Sequence, residues 1–82
     1  MPADPLKPRV GFKVASAAFG DPIRTIDCVA KLEGFREARV ELSDPSRLPE
    51  EFLLIAMSIQ IRNRCRVVER AADFVRVKFT SE

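Results

Sequence analysis

The sequence predicts an all-β domain in which five or six short strands, joined mostly by hairpin-scale connections, close into a barrel or a sandwich. Three observations predict it. Apolar and charged residues alternate at period two in successive short segments, as in strands with one buried face. Turn-forming residues such as Gly20-Asp21-Pro22 and the stretch "SDPSRLPEEF" separate those segments. Finally, a run of short strands has to hide its edges, and closure does so.

Taken in order, residues 1–8 hold three of the chain's six prolines and little that is apolar, which predicts a flexible leader ahead of a domain over 9–82. Val10, Phe12 and Val14 then alternate with Arg9, Gly11 and Lys13, predicting a first strand with the three apolar residues inward. Asp21-Pro22 marks the turn that follows. From Thr25 to Ala30, Ile26, Cys28 and Ala30 share a face opposite Asp27 and Val29. After the corner in "KLEGFREARVEL", Ala38, Val40 and Leu42 oppose Glu37, Arg39 and Glu41, the clearest strand in the chain. Near the end Cys65 and Val67 alternate with Arg64 and Arg66, and Val75, Val77 and Phe79 with Arg76 and Lys78. Arg70 to Asp73 predicts the hairpin turn between them.

Residues 50–60 support two readings. Pro49 with Glu50 and Glu51 suits the first turn of a helix, whose face would be Phe52, Ile55, Ala56 and Ile59. The run "FLLIAM" equally suits a buried strand.

Bulk properties exclude several functions. Eighty-two residues make one small domain, and a net charge of +2 does not by itself argue for nucleic acid. No run reaches the ~20 apolar residues of a membrane span, and the N-terminus lacks the apolar centre of a secretory signal, so a cytoplasmic protein without membrane association is expected. Histidine is absent, removing the usual proton shuttle and the commonest metal ligand. Cys28 and Cys65 each sit in an apolar stretch; a disulfide is conceivable, and two buried, reduced thiols are the expectation. Glu50-Glu51 reads as a loop acid pair. In a strand, Arg64 and Arg66 point away from Cys65, so no dyad forms. No enzyme activity, metal or cofactor is expected.

The stretches "TIDCVAK", "EARVEL", "RLPEEFLLI" and "CRVVER", in this order and spacing, resemble the PilZ family, chiefly its short alphaproteobacterial members, over Pro8 to Phe79. The resemblance implies a small antiparallel β-barrel of about six strands with little or no helix. It assigns "FLLIAM" to a strand, with "LPEE" reduced to a single turn before it. It also implies bacterial second-messenger signalling, because PilZ domains are receptors for cyclic di-GMP.

The family binds that ligand through two motifs. In R-x-x-x-R, ahead of the first strand, guanidinium groups clamp phosphates and stack on guanine. In D/N-x-S-x-x-G, at a strand-to-strand corner, a short polar side chain and a hydroxyl bond the base while glycine admits the ligand to the backbone. Here the second arginine of the first motif falls on Arg9, the first on Pro5, and Lys7 lies between them. In the corner the three positions fall on Leu32, Gly34 and Glu37. Glu37 places a negative charge where a dianionic ligand would sit. The aromatic residue often found after "CRVV" is Glu69, and the small residue of the last strand is Arg76.

The resulting expectation is a divergent PilZ-like regulatory or adaptor domain, with cyclic di-GMP binding lost or weak, acting on a protein partner through exposed apolar residues such as Phe35, Phe74 or Ile61. One alternative keeps cyclic di-GMP as ligand, with Lys7 and Arg9 as its phosphate or nucleotide contacts. The other is a small barrel binding single-stranded nucleic acid along Arg62, Arg64 and Arg66, with Phe35 or Phe74 stacking on bases. Against it stands a plain outward strand face balanced by Glu37, Glu41 and Glu69, in a chain without an RNP-like aromatic motif.

Overall fold

The computed structural model describes residues 11–80, in which six antiparallel strands close into a barrel in the order β1-β2-β3-β6-β5-β4. The strands are β1 (Lys13–Phe19), β2 (Arg24–Leu32), β3 (Glu37–Glu41), β4 (Glu51–Ala56), β5 (Ile61–Arg70) and β6 (Phe74–Phe79). Hairpins join β1 to β2, β2 to β3, β4 to β5 and β5 to β6; closure comes from pairing β1 with β4 and β3 with β6. Every strand therefore has two neighbours, and no open edge remains among them. The expected all-β barrel is the observed fold. Helix among the described residues is limited to two 3₁₀ turns, Pro45–Arg47 and Met57–Ile59, and no helix is long and apolar enough to cross a membrane. The predicted leader, residues 1–8, lies outside the described residues.

Period-two alternation sets the core. Ala38, Val40 and Leu42 from β3 and just beyond it, and Val75, Val77 and Phe79 from β6, are all buried. In β4 the inward residues are Phe52, Leu54 and Ala56, with Leu53 and Ile55 half-buried on the outside. The strand reading of this segment holds, and the helical face Phe52-Ile55-Ala56-Ile59 does not form. Pairing with both β1 and β5 gives the β4 backbone its partners, which a helix would have had to find within itself. The single turn expected at "LPEE" forms earlier, at Pro45–Arg47. There the Asp44 carboxylate accepts a hydrogen bond from the Ser46 amide at 3.2 Å. Leu48, just after that turn, is buried with the core.

Two features depart from simple alternation. The strand expected around Val10–Val14 starts later, and its phase is reversed: Ala15 and Ala17 point inward, whereas Val14 is 63% exposed. Gly11 takes φ +85°, a left-handed bend just ahead of buried Phe12, which leads directly into β1. The interior of a six-stranded barrel is narrow, so small residues such as Ala15, Ala17, Ala30 and Ala38 make room for Leu54 and Phe52. In β5 the register against β6 shifts between Val67 and Glu69, a bulge that leaves Val68 exposed and pairs Arg70 with Val75. The Arg70 guanidinium then donates to the Pro45 carbonyl, tying the β5–β6 turn to the long connection.

Cys28 and Cys65 face the core as free, buried thiols. The Cys65 Sγ donates to the Phe52 carbonyl at 3.4 Å, so this polar group does not go unpaired.

Candidate functional site

The corner in "KLEGFREARVEL" joins β2 to β3. The Glu33 amide donates to the Glu37 carbonyl at 3.0 Å and closes the hairpin, with Leu32 opposite Ala38. Leu32, at the end of β2, and Gly34, at the tip, are both exposed. A Cβ added at Gly34 would come no nearer than 4.0 Å to the Glu37 Cβ, so a serine would fit there.

Strand pairing sets charged residues of β6 beside the corner. Glu37 is paired in register with Lys78 of β6. The Glu33 carboxylate lies 3.4 Å from the Arg76 Nε, which also lies 3.7 Å from Glu69. The Arg36 carbonyl accepts from the Phe79 amide at 2.7 Å, and its guanidinium reaches back to the Phe79 carbonyl at 3.5 Å. Two carboxylates thus sit at the corner, Glu33 ion-paired with Arg76 of β6 and Glu37 opposite Lys78 in the strand register. The sequence could not place Arg76 and Lys78 at the corner, because only the β3–β6 pairing brings them there.

Phe35 stands at the tip and is 97% exposed. The other two apolar residues expected on the surface differ. Ile61 is only 8% exposed, because it begins β5 on the inward side opposite Ala56. Phe74 is half-buried beneath the Arg39 guanidinium, which lies 3.8 Å from its ring centroid and 3.1 Å from Glu41. Its ring is already stacked and is not a free platform for a base. Lys7 and Arg9, the phosphate or nucleotide contacts of the alternative reading, lie outside the described residues.

Arg62, Arg64 and Arg66 do share an exposed face of β5, as the alternation predicts. Their charge balance differs from expectation. Glu37 and Glu41 belong to β3, which is separated from β5 by β6, and Glu69 faces Arg76. Among the described residues, Glu51 of β4 answers the row at Arg66, at 3.3 Å. Across from Arg64 and Arg62 lie Leu53 and Ile55. These outward apolar residues were missed by the strand reading, although the unbroken run from Phe52 to Met57 was their signal: a strand apolar on both faces.

Burial raises both thiols from 9.0 to about 12, with Asp27 adding to the effect at Cys28 and the neighbouring Cys28 at Cys65. At neutral pH both stay protonated, the unreactive form of a cysteine.

The chain matches no protein-family model, and no curated protein or solved structure matches it either.

Proposed function

We propose that this protein is a divergent PilZ-type regulatory or adaptor domain that acts through protein contacts and has lost effective cyclic di-GMP binding. The observation that carries the reading is the β2–β3 corner. A strand-to-strand corner of the expected kind is present, yet Leu32, Gly34 and Glu37 occupy its three ligand positions and Glu33 adds a second carboxylate. Supporting it, the space at Gly34 would admit a serine, so the corner keeps room for the family's chemistry without supplying it. With the corner's base contacts replaced, Phe35 remains as an exposed apolar side chain at the tip, of the kind that protein interfaces bury.

Isothermal titration of the full chain with cyclic di-GMP tests the proposal. The expected outcome is no saturable heat. A micromolar dissociation constant would overturn it, and amide shifts at Lys7 and Arg9 would then identify the N-terminal segment as the binding element.

A further inference from the structure

No strand lies at an edge of the sheet, but pairing does not run the full length of each. β2 pairs with β1 from Arg24 to Ala30 and with β3 only from Val29 to Leu32. Arg24 to Cys28 therefore have β1 on one side and, among the described residues, no strand on the other. Beyond Glu41 the chain does not continue along β2. The Leu42 amide turns to the Asp73 carbonyl at 3.4 Å, and Pro45, which has no N–H to give a ladder, opens a 3₁₀ turn. Backbone groups alternate in direction along a strand, and the Glu33 amide fixes the phase in β2 by bonding the Glu37 carbonyl across the corner. Thr25 and Asp27 thus turn their N–H and C=O groups to the unpaired side, where no backbone partner meets them among the described residues. Both residues are exposed.

We propose that this stretch of β2 is completed by an extended segment of a partner protein, added antiparallel as a short strand with a basic side chain opposite Asp27. The inference deepens the protein-contact reading above, rests on it for the class of partner, and makes no use of the corner's side chains. An unpaired row of N–H and C=O groups is met best by another backbone, which supplies both in alternation. Thr25 and Asp27 each offer a donor and an acceptor, on a stretch from Arg24 to Cys28 that is roughly 14 Å long at ~3.4 Å per residue. That is the scale of a short linear segment. Side chains set what the segment carries. Ile26 is half-buried and packs against the core, so the residue opposite it points inward and is apolar. Asp27 is exposed on the outer face, opposite Ser16 of β1, and has no ion-pair partner among the described residues. A cation opposite it completes a cross-strand pair. A second copy of the chain is the poorer occupant. The antiparallel register that uses all four backbone groups sets Asp27 opposite Thr25 of the other copy, with the two carboxylates diagonal on one face and Arg24 turned to the other. Charges on so short an unpaired stretch also discourage self-association.

The test is titration of the isotope-labelled full chain with an end-blocked peptide of about seven residues, valine alternating with threonine and one central lysine in the threonine phase. A version with glutamate for lysine and a version N-methylated at its lysine and threonines serve as counterparts. The lysine peptide is expected to shift the amides from Arg24 to Cys28. It should slow hydrogen exchange at Thr25 and Asp27, whose amides face the unpaired side, and change Ile26 least, since that amide is already bonded to β1. N-methylation should abolish the protection, because it removes the donors that face β2. Glutamate for lysine should weaken binding at least about threefold, and in the Asp27→Lys protein that order should reverse. Arg62→Glu on β5 should leave the affinity unchanged. Absence of binding, indifference to N-methylation, equal binding of the glutamate peptide, or new protection outside Thr25 and Asp27 alone would overturn the proposal. So would protection of these two amides in the free chain, which puts a segment of the chain itself there, or protection that grows with protein concentration, which puts a second copy there. A silent peptide with a silent cyclic di-GMP titration removes the docking stretch alone; micromolar cyclic di-GMP binding removes the functional reading even if the peptide binds.

Discussion

Substituting alanine at Leu54 and, separately, at Ile55 distinguishes the strand from the helix that the same residues could have formed. Leu54 is 0% exposed at the centre of the barrel, whereas Ile55 lies half-buried on the outer face of β4. Each change deletes three carbons, about 2.4 kcal/mol of transfer free energy if fully buried, at ~0.8 kcal/mol per carbon. Leu54 also leaves a cavity between six mutually paired strands that cannot collapse freely, which brings the expected loss to about 3–4 kcal/mol. Ile55 forfeits roughly half its transfer term and leaves no enclosed void, so about 1 kcal/mol is expected. A chain of this length has about 4–12 kcal/mol in total at ~0.05–0.15 kcal/mol per residue, so Leu54→Ala is a large perturbation. Urea unfolding followed by circular dichroism reads both. The midpoint should fall strongly for Leu54→Ala and slightly for Ile55→Ala, with the slope unchanged in each. The reverse order, with Ile55 the costlier, is what the helical face would give, and it would refute the packing described for β4.

Further expectations concern the other elements. Ala17→Leu, placed in the closed interior, should cost about 1–3 kcal/mol by overpacking, while Val14→Leu on the outer face should stay within ~0.5 kcal/mol; equal costs would contradict the phase of β1. Because burial raises both thiols from 9.0 to about 12, their contribution to stability is intact below pH 9 and is lost as pH rises toward 12, where the unfolded chain releases protons that the native chain keeps. Urea midpoints across that interval should fall less steeply in the Cys28→Ala/Cys65→Ala protein, and parallel declines would refute burial as the cause. Phe35→Ala should change stability by less than ~0.5 kcal/mol, as expected of an exposed tip, so that any effect on partner binding reads contact alone. Installing Pro5→Arg, Leu32→Asp, Gly34→Ser and Glu37→Gly together should produce saturable heat with cyclic di-GMP. A silent titration by that folded variant would argue that the corner does not have the geometry of the family's site.

Legibility differed from strand to strand for identifiable reasons. In β3 and β6, charged residues alternate with Ala38 and Val40, or with Val75 and Val77, and solvent on one side makes the buried side unmistakable. In β4 both faces are apolar, so the pattern carried no phase and could not separate strand from helix. In β1 the inward residues are alanines, which contribute little to any hydrophobic pattern, and the bulkier Val14 points outward. The corner was legible in the identity of Leu32, Gly34 and Glu37. Its electrostatic partners were not, because Arg76 and Lys78 reach it only through pairing across some forty residues.

The sequence by itself determined that the chain is built of short amphipathic strands and that Leu32, Gly34 and Glu37 stand around one of its corners. Both follow from local rules: side chains alternate along a strand, and donors and acceptors are a matter of residue type. The closure of the barrel, the burial of Ile61, the stacking of Phe74 under Arg39 and the meeting of Leu53 and Ile55 with the arginine row were decided by tertiary structure alone. Each depends on which strand lies beside which, and that choice is made by the packing of one narrow core to which every strand contributes at once.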